Sequence, residues 1–280
     1  MKTAAALARQ SGKTLLVWFL IMLIIGLITR EPGNTFKSTD LLRAAVAIAL
    51  ALLVYRYSLW LFQPSAFLAT SLRFETNLFL RGGLFGAALA LPLLLLQIAG
   101  WFNLQFPRPE VADLPDTILR AFTLALVAGV TEELMFRGIL LHALENVLGT
   151  WWAWLLQASV FGLVHYLRPD VLVADLVPLV FMGLLFGAAY ILTRNLWYTI
   201  AMHTVYDWAI LSYPGAIESM LRPGVDYELQ EYFILVIFCI VMLTLALPML
   251  RRARECGHIL PPTGKLASSQ ATDSAENEAA

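Results

Sequence analysis

Apolar residues run along this chain in long blocks rather than in alternation, and polar or helix-breaking residues gather between the blocks. A helix needs about 20 mostly apolar residues to cross the hydrocarbon of a bilayer. By that measure eight helices are predicted, at roughly 14–29, 41–63, 78–101, 117–145, 151–168, 171–193, 196–213 and 231–250. The clusters Arg30-Glu31-Pro32-Gly33-Asn34, Gln63-Pro64-Ser65, Pro107-Arg108-Pro109 and Gly149-Thr150 bracket the first five. Connections from the fourth to the seventh are very short, which leaves room for one of them to be re-entrant. Segments apolar all round have little helical periodicity, and no internal repeat is visible. The expected fold is therefore an all-α polytopic membrane protein, a bundle of about eight transmembrane helices. Residues 1–13 form a cytosolic N-terminal segment, 14–250 the transmembrane domain, and 251–280 a basic and then disordered cytosolic tail, since 263–280 hold too few apolar residues to order.

Composition supports the same class. Of 280 residues 59% are hydrophobic and 14% charged, with a mean hydropathy of +0.72. A soluble chain carries about 25% charge and 45–50% apolar residues, so an ordinary cytosolic enzyme is excluded. A net charge of −1 without clustered Lys and Arg gives no reason to expect nucleic acid. Cys239 in an apolar run and Cys256 in the basic tail make no disulfide framework.

Lys2, Arg9 and Lys13 precede the first apolar run, which has no cleavage site after it and reads as an uncleaved signal anchor. Arg251, Arg252, Arg254 and Lys265 follow the last one. Eight spans then place both termini in the cytoplasm and the protein in the inner membrane, with Arg73 and Arg81 on that same side. Arg30, Lys37, Arg43, Arg108, Arg120, Arg168 and Arg222 fall on the other side, so the charge bias is moderate.

Charge inside a span costs at least ~2.5–3.5 kcal/mol and calls for a partner or a purpose. The fourth segment holds Thr131, Glu132, Glu133, Arg137, His142 and Glu145. On a helix Glu133 and Arg137 share a face, acid first, while Glu132 points about 100° away. One carboxylate is thus neutralised and its neighbour is left to titrate; a purely structural Glu–Arg clasp would use the same residues. The fifth segment pairs Phe161 with His165 and the seventh His203 with Asp207, each four residues apart. A lone intramembrane His is ordinarily a satisfied core residue. Two of them and a free Glu on three helices must find one another in lipid.

Such a set can activate water: a carboxylate takes its proton as it attacks a carbonyl, and nearby donors receive the oxyanion. A covalent nucleophile has no support, because no Ser lies in a GxSxG context and neither Cys has a His beside it. Glu, His and Asp also ligate zinc, although no H-E-x-x-H is present. A non-catalytic scaffold or transporter subunit using these groups as a proton relay is a third reading.

Glu132-Glu133-Leu134-Met135-Phe136-Arg137, Phe161 to His165 and His203 to Asp207, in this order on successive apolar helices, resemble the EExxxR, FxxxH and HxxxN/D motifs of the CPBP family. That family contains the type II CAAX prenyl endopeptidases and the Abi proteins. The resemblance covers roughly residues 117–212. It implies a metal-independent, cofactor-free intramembrane glutamic protease whose bundle encloses a polar, water-filled cavity. Its substrate would be a membrane-anchored protein or peptide. By motif position Glu132 would be the general base, His165 would help place the water, and Glu133 and Arg137 would be the supporting pair. His203 with Asp207 would form the oxyanion site, and Phe161 would pack beside it. Prenyl-processing members commonly have Asn where this chain has Asp207. An ionised Asp only accepts hydrogen bonds and would oppose an oxyanion, so Asp207 must either be protonated or orient His203 and favour its charged form; the orienting role is the one expected. That change loosens the link to prenylated peptides and fits trimming of C-terminal anchors or leader peptides.

Other polar residues have plainer readings. Asp175 falls in the first turn of its segment and is expected at the interface, and His142 and Glu145 are expected to face headgroups. Trp151, Trp152, Trp154, Trp197 and Trp208 are expected to mark segment ends. Gly82, Gly83, Gly86, Gly183 and Gly187 permit close helix approach. Arg56 has no evident partner and is expected to snorkel.

Overall fold

A computed structural model describes residues 38–62, 72–99, 114–166, 173–212 and 229–261, together with Leu20 and Ile24. The expected helix at 14–29, apart from those two residues, and the tail at 263–280 lie outside the described residues. So does the side chain of Asp175.

The described residues form seven helical rods and no strands. They are α1 (Ser38–Phe62), α2 (Thr76–Ile98), a composite rod, α5 (Thr150–His165), α6 (Val173–Thr193), α7 (Leu196–Leu211) and α8 (Leu229–Glu255). The composite rod begins as α3 (Leu114–Glu132), widens into a π-helix over Glu133–Leu141 and ends as α4 (His142–Leu148). Seven of the eight expected segments thus have a counterpart.

Four helices are long and apolar enough to cross a membrane, over Thr39–Ser58, Thr76–Leu96, Leu176–Thr193 and Phe233–Glu255. Their outward faces stay apolar: Leu84, Leu91, Leu95 and Ile98 of α2 and Phe233, Val236, Ile237 and Ile240 of α8 are exposed. This is a multi-pass membrane protein. Helices α5 and α7 have 16 residues each, about 24 Å at the usual rise per residue, against a hydrocarbon core of about 30 Å.

Lipid supplies no hydrophobic drive between helices, so close approach of backbones has to do the packing. Helix α7 shows this most clearly. A Cβ on Gly82 or Gly86 of α2 would collide with the carbonyls of Tyr198 or Met202, and one on Gly129 of α3 would collide with the Thr204 hydroxyl. Helix α7 is therefore seated between two helices that omit side chains where it passes. Helix α6 meets α5 the same way: a Cβ on Gly183 would lie 3.0 Å from the Ala158 Cα. The five glycines picked out by sequence belong to these seams, except that Gly83 has only an ordinary contact with Val205.

One end of the bundle is sewn together by polar side chains. Arg194 follows α6 in the left-handed region (φ 50°), a conformation costly for a residue with a Cβ. Its guanidinium grips Glu145 through two bonds of 2.9 Å. Thr150 donates to Glu145 at 2.8 Å, and His142 meets the Tyr190 hydroxyl at 2.7 Å. Asn195 caps α7 by accepting from the Tyr198 amide, and its own amide donates to the Arg73 carbonyl at 2.8 Å. Trp197 donates to the Leu72 carbonyl.

Two expectations are corrected here. His142 and Glu145 do not face headgroups; they are 5% and 1% exposed, because Arg194, distant in sequence, supplies the missing counter-charge. Trp154 is likewise buried, its indole donating to the Leu184 carbonyl at 2.8 Å, whereas Trp151 and Trp152 are exposed.

The chain after α8 also departs from a simple tail. The helix runs on to Glu255, and the residues beyond it fold back on the sewn end. Thr150 and Leu260 exchange bonds of 3.0 and 2.8 Å, Arg194 donates to the His258 carbonyl, and the His258 ring reaches the Leu192 carbonyl at 2.8 Å. Arg56 is exposed.

Candidate active site

The three motif helices converge where the composite rod widens. A π-helix advances by i→i+5 bonds, and single π turns inside α-helices are frequent at functional sites. Here all nine residues from Glu133 to Leu141 are buried, and Glu132 is the last residue before the change.

Glu133 is wholly enclosed. Its Oε1 accepts from Arg137 Nη1 at 2.8 Å, the pair that the four-residue spacing predicted, and meets His203 Nδ1 at 2.9 Å. Arg137 is as deeply buried. Its other terminal nitrogen donates to the Gly183 carbonyl at 3.3 Å. The rings of Phe161 and Phe186 lie 4.7 and 5.3 Å from its guanidinium carbon. Carboxylate and aromatic faces together replace the water that a charge of this kind would otherwise hold.

Glu132 differs from its neighbour. Its side chain is 21% exposed, and its Oε2 lies 3.9 Å from His203 Nε2. Asp207, 25% exposed, faces that same nitrogen at 3.3 Å. His203 is thus ringed by three carboxylates: Glu133 at one nitrogen, Asp207 and Glu132 at the other. Ionised carboxylates only accept, so both ring nitrogens can be satisfied together only as donors. Phe186 packs on the imidazole with centroids 4.8 Å apart.

His165 closes α5. Its Nδ1 lies 2.7 Å from the Phe161 carbonyl one turn back. That contact requires the hydrogen on Nδ1 and leaves Nε2 of the neutral ring as an acceptor. Phe161 sits between the two histidines, its centroid 5.0 Å from His165 and 6.4 Å from His203, and it also stacks edge-on against Phe136. All seven residues read from sequence, Glu132, Glu133, Arg137, Phe161, His165, His203 and Asp207, therefore meet in one neighbourhood. His165 joins it through the Phe161 ring rather than by a direct polar contact.

The geometry divides the groups by access. Glu133, Arg137 and the inner side of His203 are sealed, while Glu132, Asp207 and His165 retain surface. Among the described residues, no three His, Cys, Asp or Glu side chains cluster as metal ligands would.

Sequence reasoning passed over two groups. The π-helix leaves no compositional mark. Gln157, fully buried on α5, did leave one: it stands four residues before Phe161, as Phe161 stands before His165.

Residues 114–209 match the family model described as Type II CAAX prenyl endopeptidase Rce1-like. The match spans all three motifs and bears out the CPBP resemblance over this segment, which is similar to a family of membrane peptidases. No curated protein and no solved structure matches the chain.

Proposed function

We propose that this protein is an intramembrane endopeptidase that hydrolyses a peptide bond of a membrane-associated protein or peptide with water activated by Glu132 and His165. The observation that carries the reading is the unequal treatment of two adjacent glutamates. Glu133 is held at Oε1 by Arg137 and His203 at 2.8 and 2.9 Å and has no surface, whereas Glu132 keeps a partly open carboxylate. A general base must be open to water, and of the two only Glu132 keeps exposed surface.

In this scheme a water is held between the Glu132 carboxylate and His165 Nε2. Its oxygen attacks the scissile carbonyl carbon as Glu132 takes a proton. Electrons displaced onto the carbonyl oxygen are received by His203 Nε2–H, with Asp207 holding the ring in place. The tetrahedral intermediate then collapses: the carbon–nitrogen bond breaks and the proton on Glu132 passes to the leaving amine. Glu133 and Arg137 stay outside the reaction and fix the inner face of His203. Helices α5, α3 and α7 each contribute one part, so orientation is set by packing rather than by a mobile loop.

The expected substrates are chains anchored in or against the bilayer, including C-terminal anchors and leader peptides, in the cell inner membrane. Both termini of the protein are assigned to the cytoplasm. Comparison of protein termini in membranes with wild-type protein and with Glu132→Gln tests the reading. Chain ends present only with the wild type support it, and identical termini overturn it.

A further inference from the structure

Gln157 lies fully buried in α5, and neither the three motifs nor the proposed chemistry uses it. A primary amide inside a lipid-embedded bundle depends on the protein itself for hydrogen bonds. Gln157 meets them on one side only, since its Oε1 has no hydrogen-bond partner among the described residues. Its Nε2 donates to the Gly183 carbonyl at 2.9 Å and to the Trp154 carbonyl of its own helix at 3.2 Å. Two carbonyl partners assign that atom as the nitrogen. Helix α6 makes room for it, since a Cβ on Gly187 would stand 2.5 Å from Nε2.

The Gly183 carbonyl also receives Arg137 Nη2. One backbone oxygen of α6 thus links the amide of α5 to the guanidinium that holds Glu133, and through Glu133 to His203. Gln157, Phe161 and His165 stand at intervals of four and share one face of α5. The Phe161 ring in the middle lies 4.7 Å from the same guanidinium. The rotation of α5 that seats the amide on Gly183 is the rotation that brings His165 to the site.

We propose that Gln157 is a positioning residue of the peptidase site: by sharing the Gly183 carbonyl with Arg137, it fixes both the guanidinium and the α5 face that carries His165. It touches neither substrate nor the reacting atoms. The proposal rests on the peptidase reading above.

The test uses full-length protein in proteoliposomes and two fluorogenic peptides, one ending in a farnesylated CAAX sequence and one in an unprenylated apolar anchor. Gln157→Leu keeps the volume and removes the donor. On whichever peptide the wild type cleaves, kcat is expected to fall about tenfold with KM unchanged, as for an interaction felt in the transition state. In an Arg137→Lys background, which has already lost the link to Gly183, the same change is expected to alter kcat less than twofold. An unchanged kcat in Gln157→Leu overturns the proposal. So does an equal fold-loss in both backgrounds, which would mark general loosening of the bundle. If Gln157→Leu fails to accumulate, Gln157→Met is read by the same criteria. If the wild type cleaves neither peptide, the peptidase reading loses its support, and thermal midpoints of the same four proteins then judge the link alone. Non-additive midpoints support it and additive ones overturn it.

Discussion

Two glutamates side by side in sequence are given opposite tasks by their surroundings, and substitution should separate them. Glu132→Gln removes a partly open carboxylate whose shortest ion-pair distance is 3.9 Å. Turnover is expected to drop by about 10²–10⁴, the range for a lost general base, with the thermal midpoint in detergent near that of the wild type. Glu133→Gln strips the counter-charge from a guanidinium with no exposure. Leaving such a charge unpaired costs about 3–5 kcal/mol, so reduced accumulation and a lowered midpoint are expected together. The Glu133–Arg137 pair was legible because spacing along a helix is a local property. The contact between Glu133 and His203 was not, since 70 residues separate them and nothing in either segment encodes the distance across.

At the scale of elements, the π-helix and the glycine seams decide where the motif side chains stand. The stretch Glu133–Leu141 holds its extra width by being packed on every side, with Gly138 so near α1 that a Cβ would lie 2.6 Å from the Tyr55 ring. Deleting Leu140 removes one residue from the widened turn and swings Glu132 and Glu133 by about 100° against α4. Cleavage is expected to vanish while helix content by circular dichroism is retained. Retained cleavage would show that the π-helix is not what aims the carboxylates. Likewise Gly86→Val forces α2 off the Met202 carbonyl and should lower the midpoint. Sequence marked these glycines as sites of close approach, but only the packed bundle shows that α7 is the helix they admit.

For the whole molecule, the sewn end couples the motif-bearing segment to chain outside the family match. Glu145, Arg194, Thr150 and His258 tie α4, α5, α6 and the residues after α8 into one polar cluster. Truncation after Cys256 should lower the midpoint and leave kcat of the surviving protein close to the wild type, because the cluster does not include the proposed reacting groups. A large kcat loss at full stability would instead tie this end to the chemistry. Metal removal is informative at the same scale. With a phenanthroline or EDTA treatment, turnover is expected to be unchanged; inactivation reversed by zinc would favour the zinc-dependent alternative.

Hydropathy alone determined that this is an all-helical membrane protein, because the cost of bare backbone and charge in hydrocarbon leaves few other solutions. The spacing of four between paired residues determined which side chains share a helical face, for the same local reason. Tertiary structure decided what crosses between helices: that His203 sits among three carboxylates, that Arg194 buries Glu145, and that Gln157 and Arg137 meet on one carbonyl. Those contacts depend on how rods of nearly uniform hydrophobicity rotate and approach, and a helix apolar all round carries no periodic signal that fixes its rotation.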